Sequence, residues 1–558
     1  MDGSIAWALR MTVAALLALA LAASLDIRHP WWAAMTVWLV AQPTRGLLLE
    51  RGVARLAGTA LGAIAGAWIL HAFAADPVSL LVAIALWLAL CAGVGSLFRH
   101  FRNYGLVLAG YTAAIVALFG FDDGAFDAGL ALDRVACTVL GIACVGLASL
   151  PGMTVARGAR AATRLDAVVR RCLCRVETHL RGAEAAPAGP AIAAIQALDR
   201  AVDSDVAGSL GGRGVALRAR RVAGLLLELI ALTLRPAASA CILPAMPKHA
   251  DARLAMLAGH ALAAGQPALA QVLHELRQAL RAPATAFLGE FLQDVDLAAM
   301  LRASLRPVLA LAIAAALWWG TGWQTGAMMA MTAALFASLF SSNDQGNQAL
   351  LQVLVGSLLG AVAGVGARLL VLPQAGGVLP VLLCIAPFLL LGAWLMRRPA
   401  TAKMAIDLTL TFLLTAQPGA PPVPAAVALQ QAAAIVAGVL VAVATFWLIL
   451  PATPAARWRR LRRRIARLGL RLQRAPDGAA AARAHRRLRA ARVQLLLACS
   501  GPCAAQAEAL HGLARSRRAL SGRTRAEPAR PLPTTGNDAA ASHAERVPTS
   551  TKDKLHAP

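Results

Sequence analysis

An aspartate set among apolar residues is one of the few positions in this chain that could do chemistry. Asp407 lies in Met-Ala-Ile-Asp-Leu-Thr-Leu-Thr, inside an apolar segment at about 402–416. A carboxylate at membrane depth is costly to hold, and it is a candidate carrier of a proton or contact for a substrate. Lys403, four residues earlier, could snorkel and pair with it at i,i+4 spacing, which would make the pair a helix-end feature. Arg134 directly follows Asp133 at the start of another apolar segment. It either neutralises that aspartate or faces a pathway. Arg10 and Arg306 occupy matching places in two further segments; they read as anchors at a basic membrane face, or as cations beside helix N-termini that attract an anion. His29, near Asp26 and Arg28, is either a surface histidine or a group that passes protons. Trp31, Trp32, Trp318, Trp319 and Trp323 form an interfacial belt in one reading and an aromatic stacking platform in the other.

Other chemistries have no carrier. Lys occurs only at 248, 403, 552 and 554, none in a phosphate-binding loop, so ATP-driven transport by this chain is not expected. The nine cysteines are scattered without ligand spacing: Cys172 and Cys174 are too close, and Cys499 and Cys503 have no partner set. They read as free thiols, with no metal site and no cofactor expected. No hydrolase elbow or metalloprotease helix occurs, so the chain is not expected to be an enzyme. The net charge of +26 comes almost entirely from Arg. No nucleic-acid module accompanies it, and a basic face beside anionic lipid explains it better than nucleic acid does.

What must position these residues is a membrane bundle. The chain is 58% hydrophobic, with a mean hydropathy of +0.62, above the roughly 45–50% apolar content of soluble domains. Apolar segments fall at about 5–25, 30–42, 53–74, 78–98, 104–120 and 128–150, then at 304–320, 323–340, 349–372, 378–396, 402–416 and 425–450. Most have the length that crosses about 30 Å of hydrocarbon. The segment between Pro30 and Pro43 has twelve residues, or roughly 18 Å of helix. It reads as a half helix beside a pathway or as a tilted, frayed end. With the N-terminus inside, the basic loops fall on the cytoplasmic side, with Arg28 the exception. The expected fold class is an all-α integral membrane protein of two parallel six-helix repeats. Residues 1–151 and 304–451 would be the halves, 152–303 a cytoplasmic helical domain, 452–520 a basic amphipathic tail, and 521–558 disordered. A signal-peptide reading of the N-terminus, with Ala20-Leu21-Ala22 as cleavage site, is set aside because the segment has a counterpart in the second half.

The repeat is visible in the residues. Ala34-Met35-Thr36 matches Ala330-Met331-Thr332, and Gly141 matches Gly438. The ladder Gly58, Gly62, Gly66 matches Gly356, Gly360, Gly364, and each ladder puts small residues on one helix face for close packing in lipid. Arg134 has Gln431 as its counterpart, so any role for it is asymmetric.

The run His29-Pro30-Trp-Trp32-Ala-Ala-Met-Thr36, with Gln42-Pro43-Thr44-Arg-Gly46, Arg51 and Arg55-Leu-Ala-Gly58-Thr59, resembles the signature of the fusaric acid resistance and aromatic acid exporter family. The second half lacks its His-Pro and Gln-Pro-Thr elements. The resemblance implies a bacterial inner-membrane transporter, multi-pass with both termini cytoplasmic. Its activity would be export of small aromatic carboxylic acids driven by the proton gradient, with a periplasmic adaptor protein. A homo-oligomer, with a dimer as the simplest form, is consistent with it. The resemblance adds Trp32, Thr36 and Arg55 to the pathway candidates Asp407, Arg134, His29, Arg10 and Arg306. The family is distantly similar to plant aluminium-activated malate channels, which keeps a passive anion channel open. A non-transporting membrane scaffold is the third reading.

Overall fold

The computed structural model describes residues 3–42, 44–98, 101–122, 128–150, 159–184, 186–208, 212–235, 241–247, 249–283, 297–342, 346–451, 453–474, 478–498 and 504–526. Pro43, Pro151, Cys499, Cys503, the loop at 343–345 and residues 527–558 lie outside the described residues; the last helix runs to Ala526, so 521–526 are helical where disorder was expected. Every regular element among the described residues is helical.

The first apolar set is α1 (Gly3–Ser24), α2 (Trp31–Val40), α3 (Arg45–Phe73), α4 (Pro77–Gly95), α5 (Phe101–Asp122) and α6 (Ala128–Ser149). The second is α12 (Leu297–Thr321), α13 (Gly326–Phe340), α14 (Gly346–Gly366), α15 (Val378–Met396), α16 (Ala402–Ala416) and α17 (Ala425–Ala444). Between them lie α7 (Ala159–Leu180), α8 (Ala188–Val206), α9 (Gly212–Leu232), α10 (Ala250–Ala263) and α11 (Pro267–Arg281); α18 (Pro454–Gln473), α19 (Gly478–Ala498) and α20 (Ala504–Ala526) follow.

Local chemistry sets the boundaries. Asp76 caps α4, its carboxylate accepting from the Val78 and Ser79 amides, with Pro77 in the first turn. Thr44 caps α3 through the Leu47 amide. That cap starts α3 at Arg45 rather than near 53, so Arg51 sits on a helix and not in a loop.

Nine of the described helices are long and apolar enough to cross a membrane, and the chain is a multi-pass membrane protein. Three of the twelve expected spans are shorter: α2 has 10 residues, and α13 and α16 have 15 each. At 1.5 Å per residue α2 covers about 15 Å. α2 and α13 are almost wholly enclosed by protein and α16 about half so, which lets backbone ends at membrane depth be satisfied.

The two sets pack alike. α3 lies along α5 and α14 along α16; α2 packs on α6 and α13 on α17. Between the sets, α1 meets α15 while α12 meets α4, and α2 meets α16 while α13 meets α5. The glycine ladders set the closest approaches. A Cβ on Gly58, Gly62 or Gly66 would strike the carbonyl oxygens of Gly105, Ala109 or Ala113. One on Gly356, Gly360 or Gly364 would strike those of Met404, Leu408 or Phe412. Gly141 meets Thr36 as Gly438 meets Thr332.

The polar helices share a second core. Leu173, Ile195, Leu226 and Leu273 from α7–α11 pack with Leu461 of α18, Leu496 of α19 and Leu513 of α20. The stretches 152–303 and 452–520, separate in the sequence reading, thus meet around one apolar centre. Buried Glu228 of α9 binds Arg489 of α19 and Arg517 of α20, and Arg517 also binds Glu275 of α11.

Candidate functional site

A cavity of about 220 Å³ opens where the two sets meet, at the end of the bundle where α2 and α13 begin. His29, Trp31 and Trp32 line it from the first set together with Phe119 of α5. Met328 of α13 and Gln431 of α17 line it from the second. The His29 ring stacks on Trp32 with centroids 4.4 Å apart and planes 12° apart. Trp31 and Trp32 are buried, so they form the wall of this cavity and not an interfacial belt. His29 is half-buried in the same cluster, not a free surface histidine. His29 Nδ1 and Trp31 Nε1 are buried without a protein hydrogen-bond partner.

Arg134 stands behind Trp32. Its guanidinium carbon is 4.5 Å from the ring centroid, a cation–π distance. It makes no ion pair with Asp133, although it is buried. The helix explains this: consecutive residues project about 100° apart on α6, so Asp133 cannot share the inward face.

One turn further along α2, Thr36 donates its hydroxyl to the Trp32 carbonyl at 3.0 Å. It accepts from Arg55 Nη2 at 3.3 Å, and Arg55 Nη1 donates to the Tyr104 hydroxyl at 2.8 Å. Arg51 lies 5.0 Å from the Tyr104 ring centroid. Arg51, Arg55 and Arg134 therefore follow α2 as a line of cations held by aromatic rings and hydroxyls. Among the described residues none of the three has a carboxylate partner. A buried charge without a counter-charge is expensive unless function requires it.

The second set reverses the pattern. Val353 stands where Arg55 does in the first, by register with the glycine ladder. Asp407 packs on Gly356 in the place that Leu108 takes on Gly58. Asp407 is buried and accepts from the Ser357 hydroxyl at 2.5 Å. Its partner is thus Ser357 on α14, not Lys403, which is exposed. Ser357 is the residue that follows the ladder glycine, and close packing at Gly356 brings its hydroxyl into reach. Asp407 does not line the cavity; Leu414, two turns along α16, does.

Arg10 and Arg306 lie elsewhere. Arg10 is half-buried and bonds the Ala6 carbonyl at 3.2 Å. Arg306 is buried, donates to the Ser341 carbonyl, and lies 4.7 Å from the Phe446 ring centroid. Ser341 caps the end of α13 opposite the cavity, so the matching sequence positions are neither equivalent in environment nor part of the cavity.

The sequence reading passed over Arg368, Tyr104 and Ser357. Arg368 lies in a π-helical turn (Ala367–Val371) that ends α14. It is buried and donates to Gln431 Oε1, a cavity-lining atom group, at 2.8 Å. π-turns inside helices often mark functional positions. The rule that singled out Asp407, an ionisable residue within an apolar run, would also have found Arg368.

The chain can be set beside known proteins at this point. It is 33% identical over 151 residues to the p-hydroxybenzoic acid efflux pump subunit AaeB of Edwardsiella tarda, covering 25% of this chain and 23% of that one. It is 34% identical over 143 residues to the uncharacterised transporter YdhK of Escherichia coli, covering 25% of this chain and 21% of that one. An uncharacterised transporter of Gluconobacter oxydans is 32% identical over 142 residues, covering 24% and 19%. The matches span less than a quarter of these relatives' own length. No solved structure matches the chain significantly. The model of the fusaric acid resistance protein family matches residues 4–292 and again 288–521, and the chain belongs to that family.

Proposed function

We propose that this protein is a secondary transporter of a bacterial inner membrane that exports small organic acids, aromatic carboxylates foremost. The observation that carries this reading is the pair of buried arginines without acid partners, Arg134 on Trp32 and Arg55 between Thr36 and Tyr104. Neither arginine lines the cavity; both lie behind its α2 wall, and a carboxylate that passes from the cavity toward them supplies the missing negative charge. The Trp32–His29 stack offers its ring a flat surface, and unpaired His29 Nδ1 and Trp31 Nε1 offer polar contacts. The name of the Edwardsiella relative supports the same substrate class.

In this reading the two six-helix sets are parallel repeats related by an axis along the membrane normal. Both termini, α7–α11 and α18–α20 are cytoplasmic, and the cavity opens outward. The first set handles the anion. Asp407 in the second takes up the proton that drives turnover. A periplasmic adaptor completes the export route, and a dimer is the working assembly. The test is a strain lacking the gene, challenged with aromatic acids. Wild-type protein restores tolerance, and Arg55→Gln or Arg134→Gln protein at equal membrane abundance does not. Equal tolerance with the variants would sink the reading.

A passive anion channel is the second reading, favoured by the absence of Asp407 from the cavity wall. Anion currents in planar bilayers that ignore an imposed pH gradient would select it.

A further inference from the structure

We propose that the groove between α18 and α19 is a binding site for a multiply charged phosphate compound, separate from the transport cavity and independent of its reading. The groove has a volume of about 450 Å³. Arg467, Arg471 and Arg474 line it from α18, and Arg483 and Arg487 line it from α19. The spacings i, i+4, i+7 on one helix and i, i+4 on the other put each set on a single face. Leu468, packed with Leu488 and Ala491, holds the two helices together at its base.

The packing thus brings two arginine stripes face to face. Like charges at this range repel, and helices pair this way at a cost to stability. Among the described residues no carboxylate is paired with any of the five. The surrounding helices behave differently. Arg220 meets Asp199 and Asp203, Arg253 meets Glu177, and Arg277 meets Asp251. In the neighbouring cavity Arg462 meets Glu508 at 3.3 Å. Residues 454–498 carry fourteen arginines and one acid, Asp477, which lies outside the described residues. The acids of this helical region are spent on other arginines, and among the described residues none reaches this groove.

The chemistry selects the ligand. Guanidinium forks bind phosphate oxygens bidentately, and a cluster of five suits several phosphates better than one carboxylate. The N-terminus of α19 lies on the same side and adds its positive end. Two sources offer this chemistry: a soluble polyphosphorylated compound, and the headgroups of anionic phospholipid. α18 begins at Pro454, five residues after the π-helical turn Thr445–Ile449 that follows α17, and Arg467 lies thirteen residues further, roughly 20 Å of helix.

The test uses the full chain purified in a zwitterionic detergent. Tripolyphosphate is added in one arm, and vesicles of phosphatidylcholine with or without phosphatidylglycerol in the other. Wild-type protein should show a rise in unfolding midpoint of about 3 °C or more with tripolyphosphate if the ligand is soluble. It should show the rise only with phosphatidylglycerol vesicles if the ligand is lipid. The triple variant Arg471→Gln, Arg483→Gln, Arg487→Gln should lose the response. Its own midpoint without ligand should equal or exceed that of wild type, because repulsion is relieved. The corresponding Lys variant, which keeps the charge, should retain a reduced response and guards against misfolding of the Gln variant. No rise in either arm overturns the proposal, as does a rise that the Gln variant keeps in full.

Discussion

Arg134 and Trp32 face each other across α6 and α2 with 4.5 Å between guanidinium carbon and ring centroid, and Asp133 next in the chain takes no part. A cation–π contact of this kind contributes roughly 0.5–2 kcal/mol. In the proposed transporter it also aims a positive charge at the cavity wall. Trp32→Ala should therefore weaken binding of an aromatic carboxylate roughly ten-fold, and of an aliphatic carboxylate of equal charge less. Equal losses for both ligands in a competition assay would remove Trp32 from the recognition surface.

Asp407 and Ser357 form a second testable pair. Ser357→Ala removes one of the two hydroxyls, Ser357 and Thr411, that serve the buried Asp407 carboxylate, which costs about 1–3 kcal/mol in unfolding free energy. Asp407→Asn should spare substrate binding but abolish the dependence of export on a pH gradient across proteoliposomes. Gradient-driven export that persists in Asp407→Asn protein would assign the proton to another group.

The glycine ladders make a sharp stability prediction. A Cβ on Gly62 would lie 2.6 Å from the Ala109 carbonyl oxygen and 2.7 Å from the Thr112 Cβ. Gly62→Ala should destabilise the protein by about 1–3 kcal/mol through overpacking of α3 on α5. Gly146→Ala, with nothing within 4 Å, should be neutral or slightly stabilising. Unfolding midpoints in detergent compare the two.

Acid should loosen the joint between α11 and α20. Burial alone would raise the Glu275 carboxyl, but hydrogen bonds from Arg517 and the charges of Arg517, Arg489 and Arg221 outweigh it and hold it below the ordinary value of 4.5. A carboxylate depressed in the folded state contributes fully above its unfolded value. The contribution fades as the pH falls from there through the folded value. Wild-type and Glu275→Gln proteins should thus differ in unfolding midpoint above pH 4.5 and converge at lower pH. A gap that widens on acidification would contradict this sign.

Much of the architecture was readable from residues alone, for identifiable reasons. The nine long spans show as apolar runs because lipid demands them, and the duplicated glycines predict close packing along α3 and α14, though not that α5 and α16 are the partners. Burial of Arg55 was not legible, because its partner Tyr104 is 49 positions away on another helix. Lys403 looked like the partner of Asp407 because local spacing is visible in sequence. Ser357 was invisible because it comes from another helix. The union of α18–α20 with α7–α11 likewise rests on contacts between residues some 300 apart, such as Gln196 with the Leu496 carbonyl. Arg368 needed only the membrane-depth rule, but its turn toward Gln431 depends on a π-helical bend that composition does not announce.

The most direct measurement is binding of a labelled aromatic carboxylate to the purified full chain in nanodiscs, for wild type, Arg134→Gln and Arg55→Gln. The line of arginines along α2 predicts that each variant folds and binds at least roughly ten-fold more weakly, a loss of about 1.4 kcal/mol or more. Unchanged affinity in both folded variants would contradict the account.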